Sequence, residues 1–143
     1  MTLLKGTLLG LKSLVFMYMK GSKNYHNVTT LSKALDCSRS YLHKVLEVLV
    51  KEGLLTSKTG PGKGYIFLKD PQEVTLLEVI KVLEGPNSLN QCFIGNDHCS
   101  DADEVACPLH KTYKVVRDEL ITKLCEITIP VAAQTGWKNL SVS

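Results

Sequence analysis

The sequence predicts a mainly α-helical chain that carries one small β-hairpin, and three observations lead there. Two stretches of helical periodicity, residues 29–35 and 42–50, are separated only by Asp36-Cys37-Ser38. Two β-prone runs then flank the glycine-rich turn Gly60-Pro61-Gly62-Lys63-Gly64. Further on, Leu109, Tyr113, Val116, Leu120 and Leu124 recur every three or four residues, the signature of a long helix with one apolar seam.

Each element has its own signals. Leu4, Leu8, Leu11 and Val15 share one helical face, and Gly21 ends that helix. After a polar turn, Leu31, Ala34 and Leu35 mark a second helix, and Ser38 offers a side-chain oxygen as N-cap of a third. Leu42, Val45, Leu46, Leu49 and Val50 form its buried stripe, with Gly53 suited to the left-handed position beyond the helix end. Two helices joined by three residues make a helix-turn-helix pattern. Residues 54–58 and 65–68 read as the strands of a wing, since the glycines between them permit a tight reversal. Thr75-x-x-Glu78 is a capping box opening a helix through Leu83, closed by Gly85-Pro86. The expected organisation is a winged helix-turn-helix domain over residues 1–85, a cysteine-rich loop over 86–108, a dimerisation helix over 109–130 and a C-terminal tail over 131–143.

With 143 residues and 44% hydrophobic content the chain can build one real core. Seventeen Lys and Arg against 14 Asp and Glu give a net charge of only +3, so any nucleic-acid surface must be a local patch. The charges are segregated: Lys44, Lys51, Lys58 and Lys63 precede residue 64, whereas Asp97, Asp101, Asp103 and Glu104 lie among the cysteines. Lys12 interrupts the apolar N-terminal segment and no cleavage site follows, so a secretory signal is not expected. With an odd count of five cysteines, this points to a reducing cytoplasm. No apolar run near that end approaches the ~20 residues of a membrane helix.

Opposite its leucine stripe the third helix presents Arg39, Ser40, His43, Lys44 and Glu47, with Ser38 and Tyr41 near its start. Short polar and cationic groups in that position reach base edges and phosphates in a major groove about 12 Å wide. Lys58 and Lys63 on the wing suit phosphate contacts, and the turn at Gly60 brings backbone close to DNA. These nine residues, Glu47 aside, are the expected DNA-binding set.

Cys92, Cys99 and Cys107 fall within one polar loop, with His110 following as Cys107-Pro108-Leu109-His110. Three thiolates and an imidazole suit an iron-sulfur cluster or zinc, and the spacing alone leaves the two nearly even. Cys37 and Cys125 read as small packing residues, His98 as an exposed loop histidine, and His26 has no evident partner. A rival of a different class is a zinc-stabilised or thiol-based protein-interaction adaptor. An enzyme is not expected, since there is no C-x-x-C pair and no nucleotide-binding glycine fingerprint.

The motifs Ser38-x-Ser40-Tyr41-Leu42, Gly53-Leu54, Ser57-x-x-Gly60-Pro61-Gly62-x-Gly64-Tyr65 and Val74-Thr75-Leu76, together with the three cysteines, span nearly the whole chain. On these residues the sequence resembles the Rrf2 family of bacterial winged helix-turn-helix regulators. The resemblance implies a homodimer on an approximately palindromic DNA operator, with an iron-sulfur cluster per subunit whose presence or state alters DNA binding in response to iron-sulfur status, redox or nitric oxide. His110 matches a family histidine beyond the third cysteine, which favours a two-iron (2Fe-2S) over a four-iron (4Fe-4S) cluster. His43 stands where some members carry a glutamate that helps choose between sites.

Overall fold

The computed structural model describes residues 3–90 and 109–135; Cys92, His98, Cys99 and Cys107 lie outside the described residues. In order, the elements are α1 (Lys5–Gly21), α2 (Val28–Ala34), α3 (Arg39–Lys51), β1 (Leu55–Lys58), β2 (Gly64–Phe67), a 3-10 turn (Pro71–Glu73), α4 (Leu76–Glu84), a second 3-10 turn (Ser88–Asn90), α5 (His110–Glu126) and α6 (Ile129–Thr135). The mainly helical architecture with one antiparallel hairpin is the fold class the sequence predicts.

α1 is the central strut. It packs against α3, α4 and α6, so it has neighbours on several sides and buries Leu9, Leu11, Leu14, Val15 and Met17. This departs from the single stripe read in the sequence: Leu11 and Val15 are buried, but Leu4 and Leu8 are exposed near the helix start. A helix enclosed on most sides has no need of an amphipathic stripe. Its buried Ser13 donates its hydroxyl to the Leu9 carbonyl at 2.7 Å, so no polar group is stranded there.

Ser38 caps α3 as the sequence places it, while Asn27, read only as part of a polar turn, caps α2. Asn27 Oδ1 accepts from the Thr29 amide at 2.7 Å to open α2, and Ser38 Oγ accepts from the Tyr41 amide at 3.4 Å to open α3. Leu42, Leu46 and Leu49 of α3 are fully buried against the core. Gly53 follows with φ +81°, the left-handed conformation expected past the helix end. β1 and β2 pair antiparallel from Leu55 opposite Phe67 to Lys58 opposite Gly64.

This hairpin does not hang free. The His26 amide donates to the Tyr65 carbonyl at 2.8 Å and the Tyr65 amide donates back to His26 at 2.9 Å, which ties β2 to the segment leading into α2.

Thr75 Oγ1 accepts from the Glu78 amide at 3.2 Å, the expected half of the capping box. The Glu78 carboxylate turns instead to Lys69 Nζ, at 2.8 and 3.0 Å. α5 ends at Glu126, and the chain then pairs with the start of α4: Leu76 N donates to Ile127 O at 2.9 Å, and Ile129 N to Val74 O at 3.0 Å. α6 follows and lies on α1 with Ile129 fully buried. The sequence gives only a C-terminal tail beyond residue 130. The short apolar run Ile129-Pro130-Val131-Ala132-Ala133 lacks a clean helical period, and Pro130 is accommodated because it falls in the first turn.

Candidate nucleic-acid interface

The exposed face of α3 and the wing meet. Ser38, Arg39, Ser40, Tyr41, His43 and Lys44 are all solvent-exposed at and after the start of α3, and Lys58, Gly60 and Lys63 are exposed on the hairpin. Arg39, His43 and Glu47, four residues apart along one helix face, line a cleft of about 190 Å³ together with Ser57, Lys58 and Lys63 from the wing. Nine residues picked from sequence thus divide into a helix group and a wing group, and Arg39, His43, Lys58 and Lys63 share this cleft. Lys44 and Gly60 lie outside it. Ser38 and Ser40 hydroxyls are 3.0 Å apart. Tyr41 leans back on α1: a Cβ added at Gly6 would stand 3.0 Å from its hydroxyl.

Three cations against the single carboxylate of Glu47 make the cleft locally positive although the whole chain carries only +3. Lys58 Nζ also stands 5.8 Å from the centroid of the half-exposed Tyr25 ring, a cation–π pair that the sequence does not reveal. Tyr65 is the other residue missed by sequence. Its ring is buried, and its hydroxyl lies 2.8 Å from Glu47 Oε1 and 2.8 Å from His43 Nδ1. Burial first, and then the Glu47 carboxylate, push the Tyr65 pKa far above the ordinary phenol range, so it keeps its proton. His26 does have a partner: its Nε2 lies 2.8 Å from the Gly21 carbonyl oxygen.

Among the expected metal ligands, only His110 is a described residue, and it is the first residue of α5, fully buried. Two turns along, Arg117 is also buried, at 7% exposure. Seven residues at about 1.5 Å per residue set the two roughly 10 Å apart along the axis on one face. Arg117 stacks over the Tyr113 ring at 5.8 Å and lies 3.6 Å from Asp118 Oδ1, yet its Nε and Nη1 have no hydrogen-bond partner among the described residues. Cys37 packs against the core as expected, and burial, then Asp36, raise its thiol pKa, so it stays protonated and unreactive. Cys125 is not a packing residue; it is exposed near the end of α5.

The α5 seam splits into two faces. Tyr113 and Leu124 turn inward and are half-buried, whereas Leu109, Val116 and Leu120 stay exposed, Val116 at 60%. Among the described residues no helix is long and apolar enough to cross a membrane.

Comparison with known proteins decides the family. The family described as "Rrf2: Iron-dependent Transcriptional regulator" matches residues 3–134. The chain belongs to the Rrf2 family. BadM of Rhodopseudomonas palustris is 30% identical over 129 residues, covering 90% of this chain and 79% of BadM. The HTH-type transcriptional regulator IscR of Photorhabdus laumondii is 30% identical over 99 residues, 69% of this chain and 58% of IscR. Among solved structures, CymR, the global cysteine regulator of B. subtilis, superposes with a TM-score of 0.75 at 21% identity, covering 93% of this chain and 96% of CymR. T. potens IscR does so with a TM-score of 0.72 at 20% identity, covering 96% of this chain and 90% of that one. The protein is therefore a winged-helix Rrf2 transcriptional regulator.

Proposed function

We propose that this Rrf2 protein acts as a homodimer on an approximately palindromic DNA operator, reading it with α3 and gripping phosphate with the wing, and that its signal enters through a centre held by Cys92, Cys99, Cys107 and His110. The observation that carries the DNA half is the meeting of Arg39 and His43 with Lys58 and Lys63 around one positive cleft. A recognition helix in the major groove with cations beside it supplies base contacts and phosphate contacts from one surface.

For the centre, the donor set is three thiolates and an imidazole, which suits an iron-sulfur cluster or zinc. Three thiolates against a doubly positive core leave net negative charge, and a buried guanidinium needs an anionic partner. Arg117, buried on the His110 face of α5, has Asp118 beside it at 3.6 Å but no hydrogen-bond partner for Nε or Nη1 among the described residues, and fits that charge. A two-iron cluster is favoured on the resemblance of His110 to the family histidine; its chemistry would be response to oxidants, nitric oxide or iron supply. His110 opens α5, whose far end is tied to the start of α4 and so to the DNA-binding domain. A change at the centre would thereby reset the spacing of two α3 helices across a dimer.

Binding to mixed-sequence duplex DNA, followed by fluorescence anisotropy across a salt series, tests the DNA half. The logarithm of affinity is expected to fall linearly with the logarithm of salt, at about −0.9 per neutralised phosphate. Lys58→Ala and Lys63→Ala should each shallow that slope by about 1. A flat salt plot would favour a protein-interaction adaptor instead.

A further inference from the structure

A wing residue reaches across to the recognition helix and acts on its chemistry. Tyr65, on β2, presents one buried hydroxyl to two half-exposed side chains of α3, Glu47 Oε1 and His43 Nδ1, each at 2.8 Å. A phenol has one proton to give. An ionised carboxylate can only accept, so that proton goes to Glu47, and the hydroxyl oxygen must then accept from an Nδ1–H on His43. The opposite tautomer would take the Tyr65 proton to Nδ1 and leave the Glu47 carboxylate facing a bare oxygen. Burial and Glu47 together keep Tyr65 from losing its proton, so the relay is not broken from that side.

A neutral imidazole carries one N–H, and the partner of one nitrogen fixes the role of the other. With Nδ1–H engaged by Tyr65, Nε2 is a bare acceptor. It has no hydrogen-bond partner among the described residues, and the His43 side chain is 56% exposed on the face that lines the cleft. In the major groove the base-edge donors are the N6 amino group of adenine and the N4 amino group of cytosine; guanine O6 and N7, thymine O4 and adenine N7 are acceptors, so guanine and thymine offer no donor there.

We infer that Tyr65 and Glu47 are positioning residues that lock His43 in its Nδ1–H tautomer, and that, on the DNA-binding function proposed above, this makes α3 select adenine or cytosine at the base His43 meets. The charged and titratable groups around the ring are Arg39 and Glu47 on α3, Lys58 on β1, Lys63 in the turn and Tyr65 on β2. Of these Glu47, 4.0 Å from Nδ1, and Tyr65 stand closest by the measured contacts.

The tautomer is read without DNA, by nitrogen NMR of the full chain labelled with 15N-histidine at pH 8. The expected result is a protonated Nδ1 and an unprotonated, strongly downfield Nε2 for His43. Tyr65→Phe removes the hydroxyl and should release His43 to the Nε2–H form that free histidine favours in water. Glu47→Ala, at a half-exposed helix position where alanine folds well, leaves the Tyr65 proton free to donate to Nδ1 and should produce the same reversal. An Nε2-protonated wild type, or variants with unchanged shifts, would overturn the lock.

The base preference is read by selecting bound sequences from a randomised duplex pool. Glu47→Ala is expected to weaken adenine or cytosine preference about three- to tenfold at one position per half-site, the worth of one hydrogen bond, and leave the other positions unchanged. Equal loss at all positions, or none, would overturn the base selection. A pool from which nothing is enriched would overturn the DNA-binding function itself, while the nitrogen shifts would still decide the tautomer.

Discussion

Gly64→Ala is expected to lower folding stability by about 2–5 kcal/mol, combining the cost of a backbone conformation foreign to L side chains with overpacking. Gly64 has φ +152°, and an added Cβ would collide with the carbonyl oxygen and carbon of His26 and press on the Asn27 amide. All three are backbone atoms, so nothing flexible can give way. Relief requires breaking the paired hydrogen bonds between His26 and Tyr65, which would free the wing and pull the Tyr65 hydroxyl off α3. Denaturant midpoints check the stability, and DNA affinity should fall with it. Gly62→Ala is the control: φ is +72° but nothing lies within 4 Å, so only the left-handed backbone cost of about 1–2 kcal/mol is expected. Equal effects at the two glycines would show that the His26 contact is not what constrains the wing.

Val116→Asp should convert a dimer to monomers and cut operator affinity by about a hundredfold or more, since linked half-site binding is worth that much. Val116 is 60% exposed, with Leu109 and Leu120 exposed near it on α5. A contiguous apolar stripe exposed on one helix marks an interaction surface. A second copy of α5 is the proposed cover, and an unpaired carboxylate at its centre costs several kcal/mol on burial. Sedimentation equilibrium reads the mass and anisotropy reads the affinity. A variant that stays dimeric would move the interface away from α5.

Much of the fold was legible because its boundaries rest on local chemistry. Ser38, Thr75 and Gly53 act within a few residues of themselves, so their roles could be read from neighbours in sequence. What escaped depends on long-range packing. The enclosure of α1, which leaves Leu8 exposed but Leu9 buried, follows from the placement of α3, α4 and α6, and no periodicity in residues 5–21 encodes that. α6 escaped because it is only seven residues long and its exposed Val131 is itself apolar, so no polar position marks its solvent face within the apolar run.

In the candidate site the residues of α3 and the wing read as solvent-facing are exposed, since amphipathic spacing turns them outward. Tyr65 was hidden. In sequence it is only an aromatic strand residue, and its part emerges when hairpin register brings it against His43 and Glu47, 22 and 18 positions away. Arg117 was hidden likewise, since an arginine on a predicted helix reads as solvent-facing until its burial is seen.

The most direct test of a metal-sensing regulator is anaerobic purification of the full chain, with visible absorption and iron, acid-labile sulfide and zinc quantified per subunit, for the wild type and for Cys92→Ala, Cys99→Ala and Cys107→Ala. The expected result is iron and sulfide in equal amounts with visible bands in the wild type, two of each per subunit for the favoured cluster. Each alanine variant should lose colour but stay folded. Stoichiometric zinc without sulfide, no metal at all, or colour retained in all three variants would contradict it.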